Sequence, residues 1–155
     1  MRHMTDSITV ASLHELSPLQ VHALYKLRVD IFVHEQQVPY AEIDDTDAAA
    51  TTRHLLATDD SGAVLGVGRV YPSTIDGEEV LQFGRFAVTP AARGTGVARR
   101  IMEQALQLAD APSTPLPLYL TAQKPLTDYY GGYGFDVCGP QYDDEGVPHV
   151  PMIRR

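Results

Sequence analysis

The sequence predicts an α/β (α+β) fold in which a mixed central sheet of about seven strands is flanked by helices. Three observations carry that reading. A β-rich run, Val80 to Val88, stops at Pro90, which cannot donate to a ladder. Past Gly94 and Gly96 it gives way to an amphipathic stripe, Val97, Ile101, Ala105 and Leu108, with Ala98, Met102 and Ala109 beside it. Two strand-like runs, Arg53 to Thr58 and Ala63 to Tyr71, flank Asp59-Asp60-Ser61-Gly62, a hairpin signal. Finally, strand, helix and strand follow one another around Gly96, which implies a right-handed parallel crossover. Hairpins together with a crossover make the sheet mixed.

The elements follow in order. Ser7 to Leu13 reads as the first strand. Ser17-Pro18 starts a helix, a cap residue followed by proline at the first helical position, and Leu24, Leu27 and Ile31 continue it to about Val33. After the hairpin, Asp76-Gly77 turns the chain into a strand from about Glu79 to Val88. Ala111-Pro112-Ser113-Thr114-Pro115 breaks the next helix, and Leu116 to Ala122 is a strand. A helix carrying Tyr129 and Tyr130 comes next. Gly131-Gly132 costs it about 1 kcal/mol per glycine relative to alanine, so it is expected to be short or kinked. Phe135 to Gly139 and about Val147 to Ile153 read as a closing hairpin. The order is β-α-β-β-β-α-β-α-β-β, without repeats, linkers or low-complexity segments. At 155 residues the chain, residues 1–155, is expected to form a single domain. Met1-Arg2-His3-Met4 are left out of the fold reading, as residues that an expression vector can add.

Composition narrows the function. No apolar run reaches the ~20 residues needed to span a bilayer, and no signal-peptide pattern opens the chain, so a cytoplasmic protein without a membrane partner is expected. The net charge of −8 and ten scattered arginines argue against nucleic acid, which needs a basic face. An acidic surface favours a cationic substrate, or simply serves solubility. The single cysteine, Cys138, excludes an internal disulfide and a cysteine-based zinc site, and it reads as a small strand hydrophobe. No metal is expected. A homodimer is left open.

The loop between Pro90 and Val97 is the main chemical signal. Its glycines let the backbone turn tightly and approach a ligand, and the helix start turns free N–H groups toward negative charge. That is a phosphate cradle. A Walker A loop needs Lys-Ser/Thr after the last glycine, where Val97-Ala98 stands. A dinucleotide fingerprint needs a third glycine or alanine, where Arg99 stands. Arg-x-x-Gly-x-Ala does fit, at Arg93, Gly96 and Ala98. It resembles the acetyl-CoA pyrophosphate loop of the GNAT (GCN-related N-acetyltransferase) superfamily, and Val88-Thr89-Pro90 resembles the Val-x-Pro that commonly precedes it. About thirty residues on, Tyr130-x-x-x-Gly134-Phe135 is similar to that family's tyrosine segment. The chain also resembles the ElaA-like branch of the family. The residues concerned are Leu27 to Asp44, including Tyr40, with Thr52-Arg53-His54-Leu55, Phe83-Gly84-Arg85, Ala122-Gln123 and Gly146-Val147-Pro148-His149.

The resemblance implies a GNAT fold with the sheet splayed between the fourth and fifth strands, and an acetyl-CoA-dependent N-acetyltransferase acting directly on an amine. It implies that Arg93, Gly94, Thr95, Gly96, Val97 and Ala98 hold the pyrophosphate. The pantetheine arm would lie in the splay, against Phe86, Ala87 and Val88. Gln123 stands where many members carry an asparagine that contacts the arm. Tyr130 is implied to touch the cofactor and to act as general acid, a role that suits a phenol with a pKa of ~10. Tyr129, Tyr133 and Phe135 read as aromatic packing. Many relatives place a glutamate on the fourth strand as base, and that position is Gly84. Glu35, His54 and His149 are the candidate replacements, as is a water chain. The missing carboxylate also motivates a second function class, a degenerate acyl-CoA-binding regulatory module. Glu42, Asp44, Asp45 and Asp47 read as a solvated acidic loop or as an attractor for the amine. They lack the glycine and distal glutamate of a calcium loop.

Overall fold

The computed structural model describes residues 7–38 and 41–155. Met1 to Met4 and Tyr40, which entered the sequence reading, lie outside the described residues. The elements are β1 (Ser7–Ala11), α1 (Pro18–Arg28), α2 (Asp45–Ala48), β2 (Arg53–Thr58), β3 (Val64–Ile75) and β4 (Glu78–Val88). Then come α3 (Val97–Asp110), β5 (Leu118–Gln123), α4 (Thr127–Gly131), β6 (Asp136–Val137), β7 (Tyr142–Asp144) and β8 (Val147–Arg154). They build one eight-stranded mixed sheet, ordered β1-β2-β3-β4-β5-β8-β6, with β7 also on β8. The crossover through α3 makes β4 and β5 parallel, and the other pairs are antiparallel. The eighth strand arises because the expected arm Phe135 to Gly139 is cut short. Pro140 has no N–H for a ladder, so β6 pairs with Met152 and Ile153, and the chain re-pairs as β7 beside Val147 to His149.

Local sequence explains the helices. Ser17 and Gln20 cap each other at the start of α1, with Gln20 N–H 3.1 Å from Ser17 Oγ and Ser17 N–H 2.8 Å from Gln20 Oε1. The straight helix expected to Val33 instead ends at Arg28. It continues over Val29–Glu35 in wider turns, closed by Gln36 N–H to the Ile31 carbonyl at 2.8 Å. Such wide turns are rare and cluster at functional sites. α4 is only five residues long, as the glycine pair predicts.

Both faces of the sheet are covered. Leu24 and Leu27 of α1, with Ile31 and Phe32, pack on Leu56, Val67 and Ala87. The α3 stripe packs on the opposite face with Leu55, Ala57, Val70 and Phe83. Adjacent Leu55 and Leu56 thus serve opposite layers, as the period of a strand requires. Each fully buried leucine or isoleucine contributes about 1.5–3 kcal/mol. α3 can sit this close because Gly66 has no side chain: a Cβ there would lie 2.8 Å from Ile101 Cδ1.

One feature of the sheet makes the site. β4 and β5 register only at Leu81↔Leu118 and Gln82↔Tyr119 and then diverge. Two expectations are corrected. Cys138 lies beyond the two-residue edge strand β6 and is exposed, not packed inside a strand. The acidic run is not a solvated loop, since Glu42 and Asp47 are buried among arginines. No helix among the described residues is long and apolar enough to cross a membrane.

Candidate active site

The glycine loop expected to cradle phosphate lies where β4 runs into α3. Gly94 and Gly96 have φ of 78° and 91°. The left-handed region costs an L-residue about 1–2 kcal/mol. A Cβ on Gly96 would meet nothing within 4 Å, so backbone conformation and room for a ligand, not protein packing, favour glycine there. The first helical bond runs from Arg100 N–H to the Gly96 carbonyl at 3.1 Å. The N–H groups of Val97, Ala98 and Arg99 therefore have no acceptor within the helix and project from its positive end. Thr95 braces the loop by donating its hydroxyl and amide to the Ala92 carbonyl. Arg93 reaches back, with Nε 3.3 Å from the Val88 carbonyl and Nη2 2.7 Å from Glu35 Oε1. The arrangement fits a pyrophosphate.

Beside the cradle, the splay opens a cavity of about 150 Å³. β3 contributes Arg69 and Tyr71, β4 the stretch Gln82 to Phe86, and β5 Leu120, Thr121 and Gln123. Tyr130, Asp144 and His149 close one side, and Phe32 and Gln36 another. Between Val67↔Ala87 and Arg69↔Gly84 the β4 strand carries one extra residue, a bulge at Arg85–Phe86, with Arg85 at φ 49°. A bulge leaves backbone groups out of the ladder, here on the cavity wall. Gly84 lies opposite Arg69, and a Cβ on it would meet nothing within 4 Å. The position where the family resemblance implies a carboxylate is open space.

Tyr130 is mostly buried, edge-on to Tyr129 at 5.2 Å and to Phe135 at 6.1 Å. Burial pushes its pKa up to about 12, which keeps the phenol protonated. His149 is buried on β8 opposite Gln123 and stacks on Tyr142 at 5.9 Å. Its Nδ1 lies 2.8 Å from the Val147 carbonyl. A carbonyl only accepts, so the neutral ring carries its hydrogen on Nδ1 and leaves Nε2 as an acceptor. Gln123 donates across the splay to Gln36 Oε1 at 3.1 Å.

The other two candidate bases sit elsewhere. Glu35 is paired with Arg93 at the cradle and is not part of the cavity wall. His54 is fully buried outside that wall, its Nε2 donating to the Asp47 carbonyl at 2.9 Å. Its Nδ1 has no partner among the described residues, and burial holds the pKa below the usual value.

Behind the cavity lies a charge cluster. Arg28 bonds Glu42 and Asp47, each at 2.7 Å, and Arg69 bonds Asp44 at 2.7 Å and Asp47 at 2.9 Å. Arg85 joins through Glu42 at 3.3 Å and the Ala41 carbonyl at 3.1 Å. Burial and the two guanidinium groups act in opposite senses on Asp47, and the guanidinium groups win, leaving it at about 2. Burial instead wins at Glu42, whose pKa is raised and whose Oε1 has no hydrogen-bond partner among the described residues. Arg69, Tyr71, Gln82, Arg85 and Asp144, all on the cavity wall, were not among the site residues expected from the sequence. The one available signal was Arg69, a charge inside the otherwise apolar run Val64 to Val70.

Comparison with known proteins agrees with this geometry. A model of the acetyltransferase (GNAT) domain matches residues 17–155. The chain belongs to the GNAT family. Protein ElaA of Escherichia coli is 36% identical over 140 residues, covering 90% of this chain and 90% of that protein. A UPF0039 protein of Mycobacterium tuberculosis is 36% identical over 151 residues, covering 97% and 94%. The crystal structure of an acyl-CoA N-acyltransferase from Pseudomonas aeruginosa superposes with a TM-score of 0.87 at 36% identity, covering 97% of this chain and 100% of that one. Within the GNAT family the chain is ElaA-like. Its chemistry is acyl transfer from an acyl-CoA. The helix-start amides of Val97 to Arg99, without a helical acceptor, and the stretch of β4 beyond Gln82, which pairs with β3 but not with β5, suit the two halves of that donor.

Proposed function

We propose that this GNAT protein is an acetyl-CoA-dependent N-acetyltransferase that moves the acetyl group directly from the thioester to a primary amine of a small molecule or peptide. The observation that carries the reading is the meeting of Tyr130 and His149 on one small cavity between diverging β4 and β5. An attacking amine must be neutral, and a departing thiolate needs a proton. His149 takes the proton from the amine at Nε2. Tyr130, kept protonated by burial, gives a proton to the thiolate. The peptide groups of the Arg85–Phe86 bulge receive the charge that grows on the carbonyl oxygen. The Gly94 to Ala98 loop, with the helix-start amides of Val97, Ala98 and Arg99, holds the pyrophosphate, and the edge of β4 from Phe86 to Val88 that faces β5 holds the arm. A cavity of about 150 Å³ walled by Phe83 and Phe86 suits an acetyl group better than a long acyl chain. The cytoplasm, where acetyl-CoA is made and used, is the compartment this reading needs.

The test is thiol release from acetyl-CoA across a panel of amines. Tyr130→Phe should keep cofactor binding and lower kcat by roughly 10²-fold. His149→Ala should abolish the ascending limb of kcat/KM against pH. If that limb survives and tracks the pKa of the amine, proton loss runs through water instead. A folded protein that binds acetyl-CoA but releases no thiol with any amine of the panel would be the regulatory module that Gly84 suggests.

A further inference from the structure

We propose that Asp144 is the acceptor-recognition residue, its carboxylate holding a second positive charge on the amine that is acetylated, so that the acceptors are small amines bearing an additional cationic group. This rests on the N-acetyltransferase reading above. The argument begins with the charges on the cavity wall. Arg69 is engaged by Asp44 and Asp47, and Arg85 by Glu42 and Asp44, so neither presents an uncompensated charge. With Gly84 in place of an acid, Asp144 is the one carboxylate on the wall, and it has no ion pair among the described residues. The cavity therefore offers one uncompensated negative charge.

The hairpin sets where that charge lies. Glu145 and Gly146, at φ 48° and 87°, form the two-residue turn whose twist matches paired strands. The register sets Tyr142 against His149 and Asp144 against Val147. Because side chains alternate along a strand, Tyr142, Asp144, Val147 and His149 share one face. Asp144 thus stands two residues, ~7 Å, along the strand from the level of His149. The offset has a chemical consequence. A carboxylate against the reacting ammonium would hold its proton on, opposing attack. Displaced from it, the same carboxylate grips a different cation while the reacting nitrogen meets His149 Nε2. The cavity is about 150 Å³, the volume that accepts one benzene, and it also receives the acetyl group, which leaves room for only a short acceptor. The chain's net charge of −8 favours the approach of such a cation.

The experiment compares 1,4-diaminobutane with butylamine, in turnover with acetyl-CoA and in calorimetric binding to protein saturated with free CoA. The native protein should favour the diamine, by binding and by kcat/KM. Asp144→Asn should reduce that preference about tenfold. Asp144→Lys should reverse it in favour of 4-aminobutanoate. Asp144 is half-exposed on a hairpin, so melting curves check that both variants fold. Equal binding of the two amines, or a preference unchanged in Asp144→Asn, overturns the proposal while leaving acetyl transfer standing. Asp144-dependent diamine binding without thiol release upholds the recognition role and overturns the N-acetyltransferase reading instead.

Discussion

The phosphate cradle and the charge cluster both manage charge, and they do so by opposite means. At Gly94 to Ala98 the chain offers backbone N–H groups at the end of a 14-residue helix, and negative charge must come from a ligand. Around Arg28, three guanidinium groups meet three carboxylates in a largely closed set that offers little to a ligand. The cradle comes from one contiguous segment. The cluster is assembled from α1, the segment before β2, β3 and β4. A local backbone device is ready to bind, whereas a self-compensated side-chain network is suited to holding. What it holds is the 41–48 segment, tied through Arg69 and Arg85 to the cavity wall.

The comparison can be broken most forcefully at Asp47. Asp47→Ala leaves Arg28 and Arg69 buried with part of their charge uncompensated and should cost about 3–5 kcal/mol in urea unfolding. A loss below about 1 kcal/mol would mean that water replaces the carboxylate and that the cluster is not structural. At the cradle the effect is smaller and of another kind. Gly96→Val forces a β-branched residue to a φ of 91° and narrows the approach to the amides. It should raise KM for the acyl-CoA about tenfold, with the protein still folded. An unchanged KM would remove the pyrophosphate from this loop.

Acidification should separate the two regions again. Burial holds His54 below its usual ~6.5, so the unfolded chain binds more protons than the folded one as pH falls through that value. Stability from this source is full above ~6.5 and is lost below it. Asp47, at about 2 against 3.8, adds a further loss between those two pH values. Melting temperature should be level near neutrality and decline from about pH 6.5 downward, and His54→Gln should flatten the first part of the decline. A profile identical in native protein and His54→Gln would contradict this account. The weakest contact is the Glu35–Arg93 pair, with both partners well exposed. Glu35→Gln should change stability by less than about 0.5 kcal/mol and leave the ascending limb of kcat/KM intact. Loss of that limb would move the base from His149 to Glu35.

Much of the fold was legible because it is locally encoded. Arg53–Thr58 forms a strand with the expected bounds, and Ser17-Pro18 starts α1 as its cap chemistry requires. The glycine loop was legible as a turn for the same reason, since two glycines between a strand and an apolar stripe mark a tight entry into a helix. The tyrosine helix was legible in its brevity. The end of α1 was not: nothing in Val29 to Glu35 signals wide turns, which follow from docking that segment against β3 and the cradle. Cys138 was misread because the edge strand β6 stops at Val137, ahead of Pro140, although β8 runs on beside it.

What the sequence determined by itself is therefore most of the run of elements, the parallel crossover of β4 and β5, and a glycine turn made of neighbours in the chain. Only the tertiary structure decided the fate of the side-chain charges. In sequence, Glu42, Asp44 and Asp47 are an acidic run next to nothing basic, and Arg28, Arg69 and Arg85 are far apart. Folding brings them within 2.7–3.5 Å, turning an expected solvated loop into a buried network. It also leaves Asp144 on the cavity wall without an ion pair among the described residues. Propensity and periodicity report on residues within a few positions of each other, whereas pairing of charges in a protein interior depends on which strands become neighbours.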